Sequence, residues 1–382
     1  MLYRKFGRTN EMVSILGFGC MRLPLLPGGD PARIDERLAI ELVHYAIDEG
    51  VNYIDTAYPY HGSGREEGGQ SEPFVAKALK NGYRERVKVA TKLPSWLIKT
   101  GEDMDRYLNE QLKRLETDFI DFYLVHNINN QVWPALKEAG VARFLDKAIK
   151  DGRIKYAGFS FHDEVDLFKE VVDYYDWSFC QIQYNYLDEN FQAGKEGLQY
   201  AAQKGLGIAI MEPLKGGKLA GDLPETVQNA FSQADIKRKP ADWALRWVWN
   251  HPEVSVVLSG MNTMEQVEEN LKSANEAEVE SLTAEEVGVV DRAKAIFRER
   301  IKVSCTACGY CMPCPAGVDI PVCFTMYNNH HMFGREEAYD IWVAPQQKAS
   351  NCVECGKCET HCPQGISIRR ELKNVKAVFE QN

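Results

Sequence analysis

The sequence predicts an α/β chain: a (β/α)8 (TIM) barrel followed by a small, mainly helical, cysteine-rich domain. Three observations predict it. Over roughly the first 280 residues, eight short β-branched or aromatic runs alternate with longer segments of helical period, the pattern of a parallel sheet. Most of those runs carry a polar residue at or just before their C-terminal end, where packing alone would favour Val, Ile or Ala. Nine of the eleven cysteines crowd between Cys305 and Cys362, most of them at two-residue spacing.

In chain order, the strand candidates are 13–19 (VSILGFG), 51–57 (VNYIDTA), 87–93 (VKVATKL), 120–126 (IDFYLVH), 154–160 (IKYAGFS), 179–185 (FCQIQYN), 207–213 (GIAIMEP) and 254–260 (VSVVLSG). Helix-period segments at 35–50, 71–82 and 103–118 separate the early ones, several of them stopping at Gly. Eight such units close a barrel of ordinary size; an open doubly wound sheet is the alternative. After the eighth strand, 263–278 reads as a helix with Thr263 as N-cap, and 282–301 as another with a capping box from Thr283 to Glu286. The organisation expected is a barrel over 1–280, a connecting helix over 281–302 and the cysteine domain over 303–382.

The net charge of −10 argues against nucleic-acid and membrane-surface partners, which favour basic patches. No apolar run reaches the roughly 18–20 residues that span a bilayer. The start, MLYRKFGRTN, has no apolar signal region, so a cytoplasmic protein is expected.

Active sites of this fold lie at the C-terminal strand ends. Those ends supply Asp55, Lys92, His126, Ser160, Gln183, Glu212 and Ser259, with Tyr60 five residues past Asp55. A tyrosine titrates near about 10 in water. An ammonium beside it favours the phenolate, a carboxylate keeps the ammonium charged, and a histidine can hydrogen-bond a substrate oxygen. Asp55, Tyr60, Lys92 and His126 therefore suit proton delivery to a carbonyl.

Residues 1–280 also resemble the aldo-keto reductase family, on LGFGCMRLP, GVNYIDTAYPYHG, QSE, VKVATK, FYLVH, YAGFSFH, QIQYNY and GMNTMEQVEEN. The resemblance implies hydride transfer between a nicotinamide cofactor, NADP(H) or NAD(H), and a small carbonyl or alcohol. It makes Asp55, Tyr60, Lys92 and His126 the catalytic tetrad, with Tyr60 as general acid. It assigns Ser160 and Gln183 to the nicotinamide amide, and Ser259, Gly260, Gln266, Glu269 and Asn270 to the adenosine end. Gly19, Met21, Met211, Glu212, Pro213 and Leu214 would line the cofactor. Met211 stands where the family often has an aromatic residue, and SGMNTMEQ holds no cation for a ribose phosphate. Lys215 and Lys218 are the candidate replacements; otherwise the preference shifts to NADH. The loop HGSGREEGGQSE reads as a flap or as a plain solvated loop.

Cys352, Cys355, Cys358 and Cys362 follow the C-x2-C-x2-C-x3-C-P spacing of a bacterial ferredoxin cluster site, in which the fourth cysteine serves the other cluster. Cys305, Cys308, Cys311 and Cys314 repeat it one residue short. Crossed ligation then gives Cys305, Cys308 and Cys311 with Cys362, and Cys352, Cys355 and Cys358 with Cys314, for two [4Fe-4S] clusters. Zinc is the rival, though it uses paired rather than tripled cysteines. The 37-residue spacer is longer than compact sheet-based ferredoxins use, and 320–333 and 335–343 read as helices. The tail resembles helical two-cluster ferredoxins, and the whole chain the iron–sulfur subgroup of aldo-keto reductases. Cys180 and Cys323 read as packing residues, and His330 and His331 as surface residues; Cys20 falls where the resemblance puts cofactor-lining residues and is not read as a ligand.

The leading expectation is an NAD(P)H-linked oxidoreductase coupled to an iron–sulfur relay. A flavin, or a ferredoxin or flavoprotein partner, would reconcile two-electron hydride with one-electron clusters. The alternatives are a plain NADPH-dependent carbonyl reductase with structural or oxygen-sensing clusters, and a regulatory or binding barrel without turnover.

Overall fold

A computed structural model describes residues 1–64, 66–334 and 338–380. The chain divides into one compact unit of 1–220 and 238–287 and another of 221–237 and 288–382.

Among its described residues, the first unit holds ten strands: β1 (Tyr3–Lys5), β2 (Met12–Ser14), β3 (Leu16–Gly19), β4 (Tyr53–Asp55), β5 (Lys88–Leu93), β6 (Ile120–Ile128), β7 (Ile154–Phe161), β8 (Phe179–Gln183), β9 (Gly207–Met211) and β10 (Val256–Ser259). β3 to β10 form a closed barrel in sequence order, with β10 paired to β3 and every pairing parallel. Its core stacks Tyr53, Phe122, Phe179 and Val256 from different strands.

The run read as one strand over 13–19 is two. Its first half pairs antiparallel with β1 as a hairpin, and only its second half enters the barrel. The hairpin puts Phe6 and Val13 into the barrel core, Phe6 packing against Phe122 and Phe179. Gly7, at φ +57°, makes the close approach possible: a Cβ there would lie 2.0 Å from the Gly207 nitrogen.

The helices follow the sequence closely because their ends are written in it. Asp35 caps Glu36–Asp48 by accepting from the Leu38 N–H. Thr263 caps Met264–Glu276. Thr283 and Glu286 bond each other's backbone N–H groups at 3.2 and 2.9 Å ahead of Ala284–Glu299.

In the second unit, the helices Ile320–Phe333 and Ile368–Phe379 bury Ile320, Cys323, Phe324, Leu372 and Val375, and Cys305, Cys311, Cys314, Cys352, Cys358 and Cys362 pack against that core while Cys308 and Cys355 are exposed. The helix expected over 335–343 is observed as Tyr339–Trp342; Arg335 to Glu337 lie outside the described residues. No strand occurs among the described residues of this unit, and no described helix is long and apolar enough to cross a membrane.

Candidate functional site

The C-terminal ends of β4, β5 and β6 bring three tetrad candidates to one mouth. Asp55 closes β4, Lys92 lies one residue from the end of β5, and a turn after β4 returns Tyr60 over them. Lys92 is fully buried and its Nζ donates to Asp55 Oδ1 at 2.7 Å, to the Thr56 carbonyl at 2.8 Å and to Tyr60 Oη at 3.2 Å. Three donors meet three acceptors, so the ammonium has no freedom to turn away. His126 completes the mouth, its ring 6.1 Å from that of Tyr60 and 5.3 Å from that of Trp96. A register shift between β6 and β7 falls between Val125 and Ile128, where Asn127 stands at φ +54°. Such a bulge re-aims the side chains beside it; here it turns the strand at His126, and the Asn127 N–H donates to Ser160 Oγ at 2.8 Å.

The fields inside this cluster oppose burial. Burial draws the Lys92 ammonium down, but Asp55 and Tyr60 outweigh it and leave its pKa above the ordinary lysine value. Burial is also the largest effect on Tyr60. Lys92 pulls the other way, Asp55 and Glu212 add to the rise, and the net pKa is raised. Burial wins that contest, and the phenol stays protonated through the neutral range. Asp55 is raised too, by burial against the pull of Lys92.

The cofactor candidates fall into three groups. Ser160 is buried and level with Gln181 in the β7–β8 register. Gln183, one pleat nearer the rim, donates its amide to Asp188 at 2.9 Å. Gln181, which sequence reasoning passed over, is buried; its amide nitrogen touches Met211 Sδ at 3.4 Å and its carbonyl oxygen has no hydrogen-bond partner. The geometry therefore favours Gln181 over Gln183 as the residue with a free polar atom beside Ser160. Met211 and Glu212 flank the mouth with Pro213 buried behind, Leu214 half-buried beyond, and Glu212 at φ +53°. Gly19 lies close under the Ser259 carbonyl, and Met21 is 54% exposed. At the adenosine end, Asn270 is buried and donates to Ser259 Oγ at 3.0 Å, so this pair shapes the strand end. Gln266 accepts from the Asn262 N–H at 2.9 Å, bracing its own loop, and Gly260 packs under the Arg22 side chain.

Two cations missing from the local motif arrive from elsewhere. Arg22 reaches Glu212 at 3.7 Å, and Lys239 pairs with Glu265 at 3.1 Å and with Glu269. Lys215 is tied to Asp188 at 2.7 Å. In the long loop after Tyr60, Gly69 and Gln70 return to the Tyr58 and His61 carbonyls, while Arg65 lies outside the described residues.

In the second unit, Cys305, Cys308, Cys311 and Cys362 line one small cavity. Three come from the first run and the fourth from the second, as crossed ligation requires. Burial raises the Cys305 thiol, and the charges of Cys308 and Cys362 raise it further. At Cys358, burial is again largest, followed by Glu359, Cys352 and then Cys314. Each fourth cysteine thus lies within electrostatic reach of the opposite triplet. The donor set, all thiol and none disulfide-bonded, suits iron–sulfur cubes. Among the described residues, no three His, Cys, Asp or Glu side chains converge tightly enough for a single metal ion.

Comparison with known proteins matches the aldo/keto reductase family over residues 15–295. The chain belongs to that family. A 4Fe-4S dicluster domain follows at 304–366, so this aldo/keto reductase carries the iron–sulfur extension. It is 29% identical over 312 residues to the uncharacterized oxidoreductase YrpG of Bacillus subtilis, covering 72% of this chain and 91% of that one. It is 26% identical over 320 residues to the NADH-specific methylglyoxal reductase of Escherichia coli, covering 70% and 92%. Among solved structures, aldo-keto reductase AKR11C1 of Bacillus halodurans, in its holo form, superposes with a TM-score of 0.63 at 26% identity, over 77% of this chain and 96% of that chain. The chain is thus an oxidoreductase enzyme of this family.

Proposed function

We propose that the enzyme reduces a small carbonyl to an alcohol with a nicotinamide cofactor, and that its two clusters, ligated crosswise, connect this site to a one-electron donor or acceptor. The observation that carries the reading is the Asp55–Lys92–Tyr60 chain, closed by bonds of 2.7 and 3.2 Å at the mouth of the barrel. A bound nicotinamide supplies or accepts a hydride, and a cluster passes single electrons. The rest falls to the protein. Tyr60 donates its proton to the carbonyl oxygen, and His126 hydrogen-bonds the same oxygen. Lys92 stabilises the phenolate left behind, and Asp55 keeps Lys92 charged and aimed. Ser160 and the unpartnered Gln181 carbonyl suit an amide with donors and an acceptor. Trp96 over His126 gives the substrate pocket an aromatic wall. Arg22 and Lys239 are the cations within reach of cofactor phosphates, each now held by glutamate.

Methylglyoxal, the substrate in the name of the E. coli relative, is the first carbonyl to try. Anaerobic protein with full clusters should be titrated with NADPH, NADH and FMN, with iron and sulfide counted on the same sample. Tyr60→Phe should then lose carbonyl reduction by about a hundredfold or more while binding the reduced nicotinamide as before. Unchanged turnover in Tyr60→Phe would remove the assignment.

A further inference from the structure

Behind the tetrad lies a buried polar network outside the roles assigned so far. The Glu72 carboxylate is fully buried. Its Oε1 accepts from Thr91 Oγ1 and from Gln111 Nε2, both at 2.7 Å, and its Oε2 accepts from Arg114 Nε at 2.8 Å. The partners lead in two directions. Gln111 Nε2 also donates to the Lys92 carbonyl at 3.0 Å, and Thr91 precedes Lys92 on β5. Tyr123 Oη donates to Gln111 Oε1 at 2.7 Å and fixes the amide. On the other side, a second Arg114 nitrogen donates to the Gly69 carbonyl.

Gly69 is where the Tyr60 turn closes. Its N–H donates to the Tyr58 carbonyl at 2.8 Å, and the Ser71 N–H donates to the Tyr60 carbonyl at 3.2 Å. A Cβ on Gly69 would lie 2.0 Å from the Tyr60 carbonyl oxygen. The lysine's strand and the tyrosine's turn are therefore fastened to one carboxylate from opposite sides.

We propose that Glu72, Gln111 and Arg114 are positioning residues, a clamp that sets the separation between Lys92 Nζ and Tyr60 Oη. The inference rests on the carbonyl-reduction reading for its consequence in turnover, but the separation it describes belongs to the protein alone. Charged hydrogen bonds in a dry setting are the stiffest available to a side-chain network, and a half-broken one leaves a buried charge. Loosening the clamp lets the Tyr60 turn drift, so Tyr60 loses part of the ammonium's pull and becomes a weaker acid.

The experiment compares Arg114→Met and the gentler Thr91→Val with Arg246→Met, which breaks a part-buried ion pair elsewhere in the barrel, between Arg246 and Asp242 and Glu276. All are full-length, cluster-loaded and anaerobic. Tyr60 ionisation is read as the phenolate absorbance that disappears in the Tyr60→Phe counterpart of each protein. This readout needs no turnover, so a wild type that reduces no carbonyl sinks the function while leaving the clamp testable. Arg114→Met should move the Tyr60 ionisation up by about one unit and lower kcat about tenfold, with the nicotinamide KM unchanged. Thr91→Val should move it the same way by less, and Arg114→Lys, which keeps a cation beside Glu72, should recover part of the loss. Arg246→Met should cost stability without moving the ionisation. If Arg114→Met, or Thr91→Val should the former not fold, leaves the ionisation where it is in wild type, the network is structural only and the proposal is wrong.

Discussion

Replacing Lys92 with Met tests the centre of the site. Met fills nearly the same volume, so the change is one of charge and donors. Three bonds vanish, to Asp55 Oδ1, the Thr56 carbonyl and Tyr60 Oη. Asp55 is 3% exposed and its other oxygen already has no partner, so its carboxylate is left almost wholly unsatisfied. Removing one member of a buried pair costs about 3–5 kcal/mol. The orphaned Thr56 carbonyl falls within that range and should not be added to it. Asp55→Asn with Lys92→Met removes the stranded charge and should recover about half of the loss, a coupling that the double-mutant cycle isolates. Urea unfolding followed by tryptophan fluorescence reports on the barrel, because Trp133, Trp177, Trp243 and Trp249 are buried there while Trp342 in the second unit is 68% exposed. Turnover should fall by about 10²–10⁴, since Tyr60 loses the ammonium of Lys92. A single variant within about 1 kcal/mol of wild type, or a double variant no more stable than the single, would refute the tight buried chain from which the function is argued.

Three other outcomes follow from the same geometry. Because the net pKa of Tyr60 lies above its ordinary value, carbonyl reduction should stay level with pH until the solution passes about 10. Alcohol oxidation, which needs the phenolate, should climb over the same range; a reduction rate declining between about pH 7 and about 9 would contradict the assignment. Gln181→Leu should weaken nicotinamide binding about tenfold in a fluorescence titration, through loss of a hydrogen bond in a dry site, and Gln183→Leu much less, since its amide is committed to Asp188. Cys362→Ala should damage the cluster of the first cysteine run and Cys314→Ala that of the second, as resolved by low-temperature electron paramagnetic resonance; damage confined to each cysteine's own run would rule out crossed ligation.

The barrel was legible because strand and helix alternate with clear breaks, and because caps such as Asp35, Thr263 and Thr283 mark the helix starts. The tetrad candidates were legible because a buried strand has no packing reason to end in Asp55 or hold Lys92. What escaped notice depends on distance or depth. Ile15 gives no sign that 13–19 divides between a hairpin and the barrel; the break is set by Phe6 finding the core. Gln181 and Gln183 have the same strand parity, so pattern alone cannot separate them, and only the Asp188 contact shows which amide is occupied. Arg22 and Lys239 reach the mouth from other loops, where a search of SGMNTMEQ could not find them. The direction of the Tyr60 shift is not legible in the sequence, which names its cation but not how strongly burial opposes it.

The most direct test uses reduced nicotinamide deuterated at the position that leaves. Anaerobic, cluster-loaded enzyme is mixed with this cofactor and a small carbonyl, and the alcohol is analysed for deuterium on the former carbonyl carbon. Retention of the label, with the product lost in Tyr60→Phe, is the expected result. An alcohol carrying only solvent hydrogen on that carbon would mean that the electrons reach the substrate by another path, and the barrel-mouth chemistry argued from Asp55, Lys92 and Tyr60 would be wrong.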